Sequence, residues 1–202
     1  VNHATSHGPV MSNDRFGNTN SAYQFNGVDD YLNIPDDDSL TSTSTLTVQA
    51  WFKKVPGSDW MGILQKGTSD ADEEYVVLVK DNEVYFDVGN SSGPYLQKIY
   101  SLAPETWHHI VAVHSRKDGN SSLKVYLNGE DVGGVTTRST NTPNDNSLPL
   151  IIGSRFASSV KQSFEGQIDD VRIYNRALNE AEVKELYAFE SKNNDPIVEG
   201  PS

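Results

Sequence analysis

No cysteine occurs in the 202 residues, which removes disulfides, thiolate metal ligands and cysteine nucleophiles together. The compartment stays open, because a bound metal can staple an extracellular domain in place of disulfides. Basic residues are also scarce: 16 Lys and Arg stand against 28 Asp and Glu, a net charge of −12. Phosphate recognition needs clustered cations, and the richest runs here are the pairs Lys53-Lys54 and Arg116-Lys117. Nucleic acid and anionic membrane surfaces are disfavoured as partners for that reason. No apolar run approaches the ~18 residues of a membrane span, and no signal-peptide pattern opens the chain. The first residue is Val1 rather than Met, which points to a piece processed or excised from a longer protein.

Short alternating segments, separated by turn residues, fill most of the chain. Leu46, Val48, Ala50 and Phe52 fall on one side of a strand, and Thr47, Gln49, Trp51 and Lys53 on the other. Residues 74–80 and 83–88 flank Asp81-Asn82, a two-residue hairpin signal. Residues 107–115 and 122–128 flank Lys117-Asp118-Gly119-Asn120, and Asn128-Gly129 turns the chain again toward 131–136. With 148–152 and 167–174, the pattern is that of a sandwich or jelly roll. One helix is predicted, capped by Asn179 with Glu182 completing a capping box ahead of Ala181, Val183, Leu186 and Tyr187. Residues 2–20 lack periodicity and read as a loop or irregular edge. Residues 191–202 (SKNNDPIVEGPS) are polar, carry two prolines and read as a linker or tail.

Four blocks in order, 21–34 (SAYQFNGVDDYLNI), 46–52 (LTVQAWF), 107–129 (WHHIVAVHSRKDGNSSLKVYLNG) and 164–187 (FEGQIDDVRIYNRALNEAEVKELY), resemble laminin-G-like, concanavalin A-like domains of secreted bacterial proteins. Pentraxins are more distant relatives of the same architecture. The resemblance covers residues 21–188. It implies a fold rather than one function, since such domains include sugar binders, adhesion modules and spacers. Relatives begin with a further apolar strand and a polar turn ahead of the segment matching Val1-Asn2. Here that part is absent, with any metal ligand it supplies.

The resemblance also implies a structural calcium ion joining FNG-x-DD to G-x-IDD. The corresponding residues are Asn26, Asp29 and Asp30, with Asp169 and Asp170. A separate physical reason concerns Asp169, which shares strand parity with Val171 and Ile173 and so should point inward. A buried carboxylate there requires a cation or several N–H donors. Calcium takes six to eight oxygen ligands, backbone carbonyls included. Capping of local amides without any metal is the other outcome.

Sugar binding is the function the resemblance suggests. A sugar ring stacks its apolar face on an aromatic side chain while polar groups fix its hydroxyls. Loop aromatics are the candidates: Trp60, Tyr95 and Phe156, the last next to Arg155. Each could instead pack against the rim of its own sheet. Tyr85 and Asp87 share the face opposite Val84, Phe86 and Val88, where they line a groove or meet solvent. Trp51 and Trp107 read as structural, as do His108, His109 and His114.

Catalysis has little support. Related glycosidases place carboxylates as E-x-D-x-E along one strand face, and that spacing does not occur here. Asp70, Asp72, Glu73 and Glu74 read as a solvated run before a strand. No nucleophile elbow, phosphate loop or dinucleotide fingerprint is present.

The expected fold is all-β, a two-sheet antiparallel jelly-roll sandwich with one short C-terminal helix, spanning 1–190 and followed by the tail. The expected function is that of a noncatalytic carbohydrate-binding module, calcium-stabilised, in a larger extracellular (secreted or cell-surface) bacterial protein active on polysaccharide. Its partners would be a polysaccharide or glycan and the other domains of the parent. An adhesion or spacer domain is the alternative, and a hydrolase or lyase comes third.

Overall fold

A computed structural model describes residues 2–41, 44–57, 59–69, 72–89, 95–99, 101–138, 145–156 and 161–192. Its first eight strands are β1 (Thr5–His7), β2 (Val10–Ser12), β3 (Ala22–Asn26), β4 (Tyr31–Ile34), β5 (Thr45–Lys54), β6 (Met61–Lys66), β7 (Tyr75–Lys80) and β8 (Glu83–Val88). The remaining eight are β9 (Tyr95–Ile99), β10 (His108–Lys117), β11 (Asn120–Leu127), β12 (Glu130–Arg138), β13 (Leu150–Ile152), β14 (Ser154–Phe156), β15 (Lys161–Ser163) and β16 (Glu165–Tyr174). A single α-helix, α1 (Glu180–Glu190), follows.

Two seven-stranded antiparallel sheets result. One runs β1-β4-β13-β6-β7-β8-β9, the other β12-β11-β10-β5-β16-β3-β2. A small β14–β15 hairpin stands beside β6. The jelly-roll sandwich expected from the alternation is therefore the observed fold. The lead-in 1–20, expected to be irregular, instead contributes β1 and β2, one edge strand to each sheet. Three residues are too few for an alternation to show in the sequence.

Hairpin chemistry follows the residues. Asp118 and Gly119 turn β10 into β11 with φ of 52° and 76°, and Asn128 and Gly129 turn β11 into β12 with 51° and 78°. Two successive positive φ values match the right-handed twist of the strands they join. At Gly129 a Cβ would also come within 2.9 Å of the Tyr187 ring, so this turn doubles as a seat for α1.

The core lies between the sheets. Leu46, Val48, Ala50 and Phe52 of β5 face it, with Phe25, Ile63, Tyr75, Phe86, Ile110 and Phe164. Burying each large side chain contributes about 1.5–3 kcal/mol. The opposite side of this sheet is covered as well, because Val183 of α1 and Leu178 just ahead of it pack there on Val111 and Val113 of β10 and Tyr126 of β11. The predicted cap is present: Asn179 Oδ1 accepts from the Glu182 amide at 3.0 Å, and Glu182 returns the bond at 2.8 Å.

That covered outer face holds a partly buried ionic cluster, with Asp170 and Arg172 at its open side. Arg15 Nη1 lies 3.0 Å from Asp169 Oδ2 and 2.9 Å from Asp170 Oδ2, and its Nε donates to the Glu190 carbonyl at 3.0 Å. The guanidinium also lies over the Trp51 ring, 4.5 Å from its centroid. The Glu190 carboxylate accepts from Trp51 Nε1 at 2.9 Å, from Gln49 Nε2 at 3.0 Å and from Arg172. One end of α1, the middle of β5, the bulge of β16 and the N-terminal segment thus meet at one place.

The parity expected for Asp169 is overturned here. Register breaks between Asp169 and Arg172, with Asp170 at φ 46°. This bulge turns Asp169 to the outer face beside Trp51, while Ile168, Val171 and Ile173 pack on the core. Asp169 still needs a cation, and Arg15 supplies it. Burial pushes its carboxyl up to about 6, with Asp170 adding repulsion and Arg15 opposing both.

Removing one partner of a buried pair leaves an uncompensated charge. Arg15→Ala should therefore cost about 3 kcal/mol of unfolding free energy by urea titration. Adding Asp169→Asn in the Arg15→Ala background should recover part of that loss, and an additive double-mutant cycle would contradict the coupling.

Candidate functional site

Register across the first sheet places Gln65, Val76 and Asp87 in one outward row, and Gly62, Leu78 and Tyr85 in another. The inward row between them is Val77, Phe86 and Leu96. Tyr85 and Asp87 therefore share a face as the alternation predicts, and Tyr95 pairs with Asp87 in register. The Tyr95 side chain lies outside the described residues.

Trp60 stands at the end of this face, immediately before β6. Its ring meets Tyr85 edge-on at 5.9 Å, with the Lys80 ammonium also 5.9 Å from its centroid. On the other side Trp60 lines a cleft of about 190 Å³ shared with Asp59, Lys161, Gln162, Ser163 and Glu165. Gly27 closes one wall, where a Cβ would fall 2.8 Å from Glu165 Cβ. The cleft combines an aromatic wall with hydrogen-bonding groups of several kinds.

A polar chain connects the cleft to the sheet face. Gln162 Oε1 accepts from Arg155 Nη1 at 3.2 Å, and Arg155 Nε donates to Glu73 Oε2 at 2.9 Å. Gln65 Nε2 donates to the same Glu73 oxygen at 3.0 Å, while Gln65 Oε1 accepts from the Phe156 amide at 2.7 Å. Arg155 is thus a bracing group beneath the cleft. Phe156 lies in a cluster at the sheet edge, with Tyr31 edge-on at 5.4 Å and His7 stacked on Tyr31 at 4.5 Å.

Sequence reasoning missed Glu73. The sequence pattern groups it with Asp70, Asp72 and Glu74 as a solvated run, yet Glu73 is only 2% exposed and Glu74 fully buried. Glu74 lies 3.7 Å from the buried Lys66 ammonium, which also meets Asp36 at 2.7 Å. Asp72 accepts the Thr68 and Ser69 amides, and Asp70 lies outside the described residues. The partners of Glu74 and Glu73, Lys66 on β6 and Arg155 on β14, are brought to them by strand register, which the local run of acids does not reveal.

Asp87 is 5% exposed and accepts the Tyr85 hydroxyl on Oδ2 at 3.1 Å, while its Oδ1 is buried without a hydrogen-bond partner among the described residues. Burial, reinforced by the charge of Glu73, pushes its carboxyl up to about 7. Burial and the Asp87 charge likewise push the Tyr85 hydroxyl upward.

The expected calcium ligands fall into two separate groups. Asn26 Oδ1 accepts the amides of Val28, Asp29 and Asp30 at 2.8–3.3 Å, its Nδ2 donates to Asp29 Oδ1, and its own amide donates to Asp30 Oδ2. Lys161 Nζ donates to the Asp29 carbonyl at 3.0 Å. Asn26 pairs with Glu165, which puts Asp169 four residues along β16, about 13 Å away. Asp169 and Asp170 are held by Arg15 instead. A single ion liganded by both groups does not fit these residues.

The Laminin_G_3 family, described as the concanavalin A-like lectin/glucanases superfamily, matches residues 26–184. The adhesion G-protein coupled receptor V1 of Danio rerio is 24% identical over 166 residues, 78% of this chain and 3% of the receptor. Among solved structures, the binding domain of Paraclostridial Mosquitocidal Protein 1 is similar with a TM-score of 0.69 and 17% identity over 94% of this chain and 48% of that one. The binding domain of botulinum neurotoxin DC, in complex with SialylT, has a TM-score of 0.69 and 11% identity over 93% and 46%. At these identities the likeness is one of fold. The chain spans less than half of each of these relatives.

Asp87 gives the site a pH signature. With its folded pKa raised from 3.8 to about 7, the native state keeps a proton that the unfolded chain releases. Its stabilising contribution is full below the unfolded value and is lost as pH rises toward 7. Asp87→Asn should therefore gain stability relative to the parent between pH 4 and 7, measured by urea unfolding. A difference that stays flat with pH would show ordinary ionisation at Asp87. For calcium, melting temperatures with 2 mM CaCl₂ and with EDTA should agree within about 1 °C, since an ion that does not bridge the Asn26 and Asp169 groups has no linkage to unfolding through them.

Proposed function

The chain belongs to the Laminin_G_3 family of the concanavalin A-like lectin/glucanases superfamily, and from that premise we propose that it is a noncatalytic glycan-binding module. The Trp60 cleft carries the reading. A sugar presents an apolar C–H face and a rim of hydroxyls, and a half-buried indole beside carboxylate, amide, hydroxyl and ammonium groups matches both. Tyr85 props the indole from the side, and the Gln162–Arg155–Glu73 chain fixes the opposite wall. Rigid support of this kind lowers the ordering cost of binding.

Such a site is shallow, so micromolar or weaker affinity is expected, about −8 kcal/mol or less in magnitude. Weak modules act by holding an attached domain near a polymer, where the tether raises its effective concentration. That role suits an extracellular bacterial protein with several domains, polysaccharide being the ligand. Likeness to an adhesion receptor favours a second reading, in which the same face contacts protein.

Glycan-array screening followed by affinity electrophoresis on the retained polysaccharides tests the proposal. Trp60→Ala should weaken retention about tenfold or more, the equivalent of roughly 1.4 kcal/mol, with melting temperature little changed. Unaltered retention would remove Trp60 from the binding surface, and an empty array would favour the protein-contact reading.

A further inference from the structure

The charges around Trp60 bear on which glycans the cleft accepts, provided the glycan-binding reading above holds. Two carboxylates, Asp59 and Glu165, line it, both on exposed residues and neither in an ion pair or hydrogen bond among the described residues. The cation in the lining, Lys161, is already committed. Its ammonium donates to the Asp29 carbonyl at 3.0 Å and lies 5.1 Å and 5.4 Å from the Tyr31 and Phe156 ring centroids. Partial burial lowers its affinity for a proton, opposed by the charges of Asp29 and Asp30. Lys80, the other nearby ammonium, lies over the Trp60 ring and is not part of the cleft lining.

We infer that the cleft selects sugars that donate hydrogen bonds and carry no acid group: neutral polyols and, more strongly, amino sugars. Free carboxylates accept from hydroxyl or ammonium donors in charge-assisted bonds, about twice as strong as neutral ones. A uronate or sialate carboxylate, or a sulfate, would face Asp59 and Glu165 at short range in a chain of net charge −12. Like charges of this kind act as a rejecting element and set specificity more than affinity. Backbone geometry supports the arrangement, because Gly27 leaves room for the Glu165 stem that any Cβ would obstruct.

The test compares three probes by calorimetry at low salt: a neutral β-glucan oligosaccharide, the glucosamine oligomer of deacetylated chitin, and an oligogalacturonate. The expected order is glucosamine above neutral above acidic, with about tenfold between the last two. Glu165→Gln should cut glucosamine binding several-fold and narrow the gap to the acidic probe, whereas 0.3 M NaCl should do likewise for the parent. Equal or tighter binding of oligogalacturonate would overturn the inference and leave glycan binding intact. Affinities for the glucosamine and acidic probes that both the Glu165→Gln and Asp59→Asn variants leave unchanged would also overturn it. Failure of all three probes, together with an empty glycan array, would instead defeat the glycan-binding reading on which it rests.

Discussion

The apolar contact between the two seven-stranded sheets governs where every polar group can go. Along β5, β7 and β8 alternate residues are committed to that contact, as Val48, Val77 and Phe86 show. Polar chemistry is left to the outer faces, and the two faces are used differently. On the second sheet α1 and the Arg15 cluster cover the outer positions of β5, so Thr47, Gln49 and Trp51 become a second interior. On the first sheet the outer rows run to the cleft beside Trp60, where polar groups meet an aromatic ring without being sealed by a helix.

Long elements were legible in the sequence because their pattern repeats. Leu46 to Phe52 gives four inward residues in strict alternation, and Asn179 with Glu182 names the helix start to the residue. Tyr85 and Asp87 were legible as a shared face for the same reason. Features set by a single residue were not. Asp170 in a left-handed conformation inverts the direction of Asp169, and nothing in D-D-V distinguishes a bulge from continued alternation. Glu73 and Glu74 look like solvent-facing acids in a run of four, but their cations sit on separate strands, Arg155 far along the chain and Lys66 on β6 just before the turn. Such pairings depend on tertiary register that local composition does not carry.

The two acidic groups in which a shared metal was expected have each acquired a side-chain cation. Arg15 serves Asp169 and Asp170, and Lys161 serves the Asn26–Asp30 turn. The physical requirement read from the sequence, positive charge beside a half-buried carboxylate, is met by the protein itself. In a chain without cysteine the ends are instead drawn in by guanidinium, carboxylate and indole groups meeting under the last turn of α1.

That meeting point has a mechanical meaning. The chain leaves α1 just after Glu190, whose carboxylate is bonded to Trp51 and Gln49 in the middle of β5. Tension applied through the residues that follow would reach β5 before it could unwind the helix from its other end. There it meets a ten-residue strand paired on both sides, to β10 and β16. Strands pulled along their length must break many cross-strand bonds together, whereas a helix peeled from a surface yields one turn at a time. A single buried glutamate therefore ties the exit of α1 to the middle of the second sheet rather than to the helix's own surface contacts alone.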